Sequence, residues 1–378
     1  MRIERVDLLH VRMELLHPFE TSSHRKDHLD HVLVKLSSEG LVGWGESAVP
    51  TDPYYCPETT ETALHVLRDY FVPAVLGQDL ETPEQVLARC ARVRGHNFAR
   101  AGLEMAFWAL LAERERRPLH ALLGGTRAEI LSGVSLGIEP SLGALFGRIE
   151  RFLEEGYRRV KLKIKPGWDI EVVRAVRERY PDLPLMVDAN SAYTLDDLDH
   201  LAQLDAFDLL MIEQPLGYDD IVDHAKLQAR IKTPVCLDES IHSVDDARKA
   251  LELGSARVIN IKTSRLGGLL NAKRVHDLCL ARGVPVWCGG MHEYGIGRAA
   301  NVAIASLPGF TIPGDVSGSD KYYAEDLVDP PILAHRGAIP VPQRPGLGYA
   351  VNEERVRRFT VRGWSRAAGA DDWRAIGA

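Results

Sequence analysis

YRRVKLKIK (157–165), LPLMVDAN (183–190), LLMIEQP (209–215), TPVCLDES (233–240) and RVINIK (257–262) are short apolar runs, each containing or closed by a charged residue. Helix-patterned stretches such as WDIEVVRAVRERY, LDDLDHLAQLDAF and VDDARKALELG separate them. LSGVSLGIE (131–139) precedes the set, and VPVWCGG (284–290) and GFTIPGD (309–315) follow it, which makes eight runs in all. Eight strands alternating with helices predict an α/β fold, a (β/α)8-type modified TIM barrel rather than an open sheet. A barrel needs ~250 residues or somewhat fewer, so a chain of 378 leaves room for a separate unit at the start.

The residues outside the runs supply that unit. RIERVDLLHVRMEL (2–15) and HVLVKLSSEGLVGWGES (31–47) alternate as strands do, and SSEG supplies turn residues. PETTETALHVLRDYFVPAVL (57–76) and ARAGLEMAFWALLAERE (99–115) carry helical spacing, with Pro57 and Glu58 placed as at a helix start. Residues 1–125 read as an α+β capping domain, 126–320 as the barrel, and 321–378, rich in Pro and Gly, as a segment packing back on the cap.

The charges that end the runs carry the chemistry. Lys163, Asp188, Glu213, Asp238 and Lys262 are spaced 25, 25, 25 and 24 residues apart, one βα unit each. Such spacing predicts that they sit at one height, at the carboxyl ends of strands two to six, the barrel face where catalytic groups lie. A single acid after an apolar run is usually a cap or turn residue; all five in register are not explained that way. Three hard oxygen ligands suit Mg2+ or Mn2+, and without a cation three buried carboxylates would repel one another. In VKLKIK, Val160, Leu162 and Ile164 alternate with Lys161, Lys163 and Lys165, which aims lysines inward. Beside a divalent cation and other ammonium groups a lysine pKa is expected to fall, which suits a general base. Metal plus base points to removal of the proton alpha to a carboxylate through a metal-stabilised enediolate, the chemistry for which the enolase superfamily is known. Lysines on opposite sides would allow racemisation; a leaving group at the beta carbon would give elimination.

Composition removes other classes. With 46 basic and 53 acidic residues and a net charge of -7, interspersed, there is no electrostatic footprint for nucleic acid or an anionic membrane. No run reaches the ~18 apolar residues of a spanning helix, and MRIERVDLLH lacks a signal-peptide core, so a cytoplasmic location is expected. Five scattered cysteines read as reduced thiols. LGGLL and CGGMHEYGIG lack the GxGxxG spacing of a dinucleotide loop.

YRRVKLKIKPGWD, VDANSAYTL, IEQPL, CLDES, NIK, WCGGM, GIGRAAN and PGDVS together resemble the muconate-lactonizing subgroup of the enolase superfamily, closest to its o-succinylbenzoate synthase and N-acylamino acid racemase branch. PFETS near residue 20 and GVSLGI extend the resemblance over nearly the whole chain. It implies Lys163 and Lys262 as the acid/base pair and Asp188, Glu213 and Asp238 as metal ligands. It also implies first-domain loops, around residues 19–29 and 50–56, that bring Phe19 and Tyr55 toward Ser135, with Lys161 holding the substrate carboxylate. Asn190, His292 and Glu293 complete the implied substrate contacts, in a homo-oligomer acting on a small carboxylate.

Two departures bear on specificity. His292 follows GGM where the family has an apolar residue. Leu29 stands where a base would align, while Arg25, Lys26, His28 and His31 crowd the same loop; if that loop touches substrate, it favours an anionic acyl or side-chain group. The preferred activity is racemisation of N-acylamino acids, N-succinyl in type, with o-succinylbenzoate synthase (a syn dehydration in menaquinone biosynthesis) as the alternative and a related racemase or cycloisomerase with a more polar substrate as the third. A Schiff-base aldolase, detectable by borohydride trapping, would leave the carboxylates without a role. A non-catalytic binding barrel would tolerate Lys163→Ala and Lys262→Ala.

Overall fold

The structure, a computed structural model, describes residues 1–20 and 25–377; for Phe19 and Glu20 it describes the backbone alone. Strands β1 (Arg5–Glu20), β2 (Arg25–Ser38) and β3 (Leu41–Ser47) pair antiparallel in sequence order. Val6 and Leu8, then Val11 and Met13, are buried along β1; each pair keeps period-two alternation, and the irregularity between His10 and Val11 shifts its phase. The cationic stretch expected as a loop is mostly strand: Arg25, Lys26, His28 and His31 all lie on β2.

Helix Asn97–Arg114 lies on this sheet so closely that side chains are excluded at the crossing. A Cβ on Gly45 would collide with the Gly102 carbonyl, and one on Gly43 with that of Ala106. The first helical stretch begins at Thr60, capped by Thr59, not at Pro57. Glu58 instead accepts the backbone N–H groups of Phe98 and Ala99 and so caps the neighbouring helix.

A short strand, β4 (Glu129–Leu131), leads into β5 (Val134–Leu136), β6 (Val160–Lys163), β7 (Leu185–Asp188), β8 (Ile212–Glu213), β9 (Val235–Leu237), β10 (Val258–Ile261) and β11 (Val286–Cys288). The last seven form one parallel sheet in chain order. The eighth expected run is not a regular strand. Pro308 precedes it and Pro313 interrupts it, and a proline has no N–H to give a ladder. It nevertheless makes parallel bridges to both sheet edges, Phe310 to Val286 and Gly314 to Ser132, so the sheet closes as a modified barrel. Met186, Met211, Cys236, Val258 and Trp287 fill the interior below the mouth.

After the barrel, β12 (Val328–Asp329) pairs with β14 (Ala350–Val351), and β13 (Ala338–Pro340) pairs with β4. Then β15 (Thr360–Ala367) pairs antiparallel with β1, and β16 (Arg374–Ala375) with β15. The tail therefore becomes part of the first sheet. Among the described residues no helix is long and apolar enough to cross a membrane.

Candidate active site

Parity along the strands points Lys161, Lys163, Asp188, Glu213 and Asn260 inward while Leu162, Val187 and Ile259 pack outward. Lys163 pairs in register with Asp188, and Asp188 with Glu213. The single height expected for all five charges ends there. Glu213 pairs with Cys236 and Cys236 with Val258, so Asp238 and then Lys262 step successively higher along their strands. The cause is the stagger that closing a sheet into a barrel imposes. From two residues above the level of Glu213, the inward Asn260 side chain reaches back to it, its Nδ2 donating at 2.7 Å.

A cavity of about 230 Å3 opens over this row, lined in part by Lys161, Lys163, Lys262, Ser135, Asn190 and Tyr55. Asp188, Glu213 and Asp238 are buried beneath it. Lys163 Nζ donates to Asp188 at 2.6 Å and to the Asn190 amide oxygen at 2.5 Å. Lys262 Nζ donates to Asp238 at 2.7 Å and to the Tyr55 hydroxyl at 3.0 Å. Lys161 Nζ bridges Glu213 at 2.9 Å and Asp315 at 2.6 Å, and lies 4.8 Å from the Trp287 ring centre.

These contacts with the acids set the pKa direction of two of the lysines. Burial works against the ammonium of Lys161, but Asp315, Glu213 and Asp188 outweigh it and hold the group above its ordinary value. At Lys262 burial is likewise outweighed, by Tyr55, Glu239 and Glu213. The acids feel their own crowding: burial first, then Asp188, raises Glu213 and raises Glu239 to about 7.

Among the described residues no three His, Cys, Asp or Glu side chains converge to hold an ion as they stand. Each carboxylate is turned to a cation of the chain, Asp238 to Arg265 as well as Lys262. The donor set itself still fits a hard divalent cation. It is all oxygen, its acids repel one another, and two buried acceptors beside it, Glu239 Oε2 and Asn260 Oδ1, have no hydrogen-bond partner.

Of the remaining expected contacts, Ser135 lines the cavity with its buried hydroxyl unpartnered, and His292 lines it stacked on Tyr322 at 4.7 Å. Glu293 is buried but is not among the lining residues. The Phe19 side chain lies outside the described residues; its backbone pairs with Lys26. The cationic cluster of β2 divides. Lys26 lines the cavity, Arg25 is 62% exposed beside Asp27, His28 lies on Asp30, and His31 Nδ1 is 2.7 Å from Glu46.

Residues passed over in the sequence include Asn260, whose shared inward parity with Lys262 was a usable signal, and Asp315, which closes the eighth run as other charges close theirs. Glu239, Arg265 and Lys321 have no such pattern; they are brought in by turns.

The chain matches two family models: "Mandelate racemase / muconate lactonizing enzyme, N-terminal domain" over residues 3–124 and "Enolase C-terminal domain-like" over residues 145–355. It is 52% identical over 361 residues to the o-succinylbenzoate synthase of Geobacillus stearothermophilus, covering 95% of this chain and 96% of that one. It is 48% identical over 370 residues to the N-succinylamino acid racemase of Thermus thermophilus, covering 98% and 100%. A crystal structure of an enolase-superfamily protein from Listeria innocua superposes with a TM-score of 0.95 at 38% identity, over 98% of this chain and 100% of that one.

Proposed function

This chain is an enzyme that belongs to the mandelate racemase / muconate lactonizing enzyme family of the enolase superfamily, and we propose that it racemises N-acylamino acids of the N-succinyl type by moving the proton alpha to their carboxylate. The observation that carries the reading is the pair Lys163 and Lys262, from β6 and from the end of β10, lining one cavity over buried carboxylates. In the amine form one of them would take the alpha proton on its Nζ, and the other, from the opposite side of the carbon, would return one. Lys161, kept cationic by three acids, would hold the substrate carboxylate. Tyr55, donating to Asp238 and accepting from Lys262, would fix the latter's direction. Asp188, Glu213 and Asp238 would hold Mg2+ or Mn2+, which supplies charge compensation to the substrate carboxylate as the alpha carbon loses its proton.

A second reading, o-succinylbenzoate synthase, is favoured by the 52% identity to relatives of that name. Both reactions share the first proton transfer, so the site residues serve either. The same reading takes residues 1–125 as cap, 126–320 as barrel and 321–378 as the returning segment, in a cytoplasmic homo-oligomer; the β15–β1 pairing supports the last division.

Proton NMR in D2O with Mg2+, following the alpha-proton signal of N-succinyl and N-acetyl amino acids beside an absorbance assay for o-succinylbenzoate, tests the choice. Exchange with loss of optical rotation is the expected result. Dehydration without exchange of any amino acid would replace the first reading by the second.

A further inference from the structure

The cations of the cavity differ in how they are compensated. Lys161, Lys163 and Lys262 each touch a buried carboxylate. Lys26 and Lys321 line the same cavity but come from outside the barrel strands, one near the start of β2 and one at the end of the turn Ser319–Lys321. Both are half-buried, and among the described residues neither forms an ion pair. Burial lowers the Lys26 pKa; Asp52 opposes that, and Lys262 adds to it. Lys321 Nζ rests 5.3 Å from the Tyr322 ring centre and 5.2 Å from that of Phe152.

The wall between them does not neutralise them. His292 stacks on Tyr322, and burial followed by Lys26 and Lys321 pushes its imidazole well below the usual value, so it adds no acid and no further charge. The two acids that line the cavity are committed elsewhere, Asp315 to Lys161 and Arg159, Glu239 to Asn190. Two ammonium groups left on one partly desolvated wall favour an incoming anion. A substrate whose alpha carboxylate is taken at Lys161 would need a second negative group to meet them.

We propose that Lys26 and Lys321 form a second anion-binding pole that takes the terminal carboxylate of a dicarboxylic acyl arm and sets the preference for N-succinyl over N-acetyl substrates. The choice of ligand rests on the proposed N-acylamino acid reading. The pole does not depend on which of the two reactions follows, because o-succinylbenzoate carries the same carboxylate-terminated arm.

Calorimetric binding of N-succinylglycine and N-acetylglycine to the full chain with Mg2+ reads the pole without net conversion, since neither ligand is chiral. The unsubstituted protein is expected to prefer the succinyl ligand by at least ~10-fold, the worth of one charge-assisted contact. Lys26→Met with Lys321→Met should remove most of that preference, and the Arg replacements, which keep the charge, should retain it. An unchanged ratio in the double Met variant, no preference in the unsubstituted protein, or failure of N-succinylglycine to bind overturns the proposal. Alpha-proton exchange of N-succinylalanine in the same samples judges the activity separately: its absence sinks the racemase reading, while the binding ratio still decides the pole.

Discussion

Lys161 and Lys163 stand two residues apart on one strand, yet their surroundings assign them different work. Lys161 is clamped between Glu213 and Asp315, and Asp315 in turn accepts from Arg159 at 2.7 Å. Removing the charge of Asp315 leaves buried Arg159 without a carboxylate and weakens the clamp on Lys161, so Asp315→Asn should destabilise the fold by roughly 3 kcal/mol, measured by urea unfolding. A loss under about 0.5 kcal/mol would show that the cluster is solvated and the burial argument wrong. Asn260 acts through Glu213, whose carboxylate it orients. Asn260→Ala should weaken Mn2+ binding by about 10–100-fold in a calorimetric titration, as loss of an outer partner of a ligand does; unchanged affinity would remove Glu213 from the ligand set. Asn260 was legible in principle, since it shares the inward parity of Lys262. Glu239 was not: it sits next to Asp238 with the opposite parity, and only the turn after β9 brings it to Asn190.

The packing of helix Asn97–Arg114 on β3 explains two glycines and one acid. Gly45→Ala should cost about 2–3 kcal/mol, because the added methyl meets backbone that cannot step aside. Gly147, inside helix Leu142–Glu154 with nothing near its missing Cβ, should behave oppositely: Gly147→Ala is expected to stabilise by about 0.5–1 kcal/mol. Equal effects at the two sites would contradict the packing described. On the same long helix Glu104 accepts from Leu269, Leu270 and Trp108, tying the cap to the start of helix Leu269–Ala281. Burial raises its pKa to about 7, against those hydrogen bonds. A raised acid is favourable while protonated, so its contribution is fully present below about pH 4.5 and declines as pH rises to about 7. The stability of the unsubstituted protein relative to Glu104→Gln should therefore fall between pH 4.5 and 8 by a few kcal/mol, in paired denaturation curves. A difference independent of pH would show Glu104 to be ionised throughout. Glu58 shows where element reading stops: its place in the sequence looked like a helix start, and its carboxylate serves another helix.

At the scale of the whole molecule, the alternation of apolar runs with helical stretches was enough to foretell a barrel, because each run is one strand and each charge ends it. The height of each charge was not, because register between strands two or three residues long is decided by closure of the barrel and leaves no local pattern. The eighth position was visible as a run but not as the irregular pair of bridges that it forms around Pro313. The cavity likewise joins distant segments: Lys26 and Tyr55 from the cap, Lys163 and Lys262 from the barrel, Lys321 from beyond it. Chain separation of this kind is why Lys163 and Lys262 could be foreseen from their spacing, whereas Glu239, Arg265 and Lys321 could not. The central claim is that Lys163 and Lys262 act on opposite sides of one carbon. It is tested most directly by following solvent deuterium into each enantiomer of N-succinylalanine with Lys163→Ala and Lys262→Ala. Both variants should lose racemisation by at least ~1000-fold, and any residual exchange should fall on opposite enantiomers in the two. Racemisation at the unsubstituted rate by either variant, or residual exchange on the same enantiomer in both, would contradict the account.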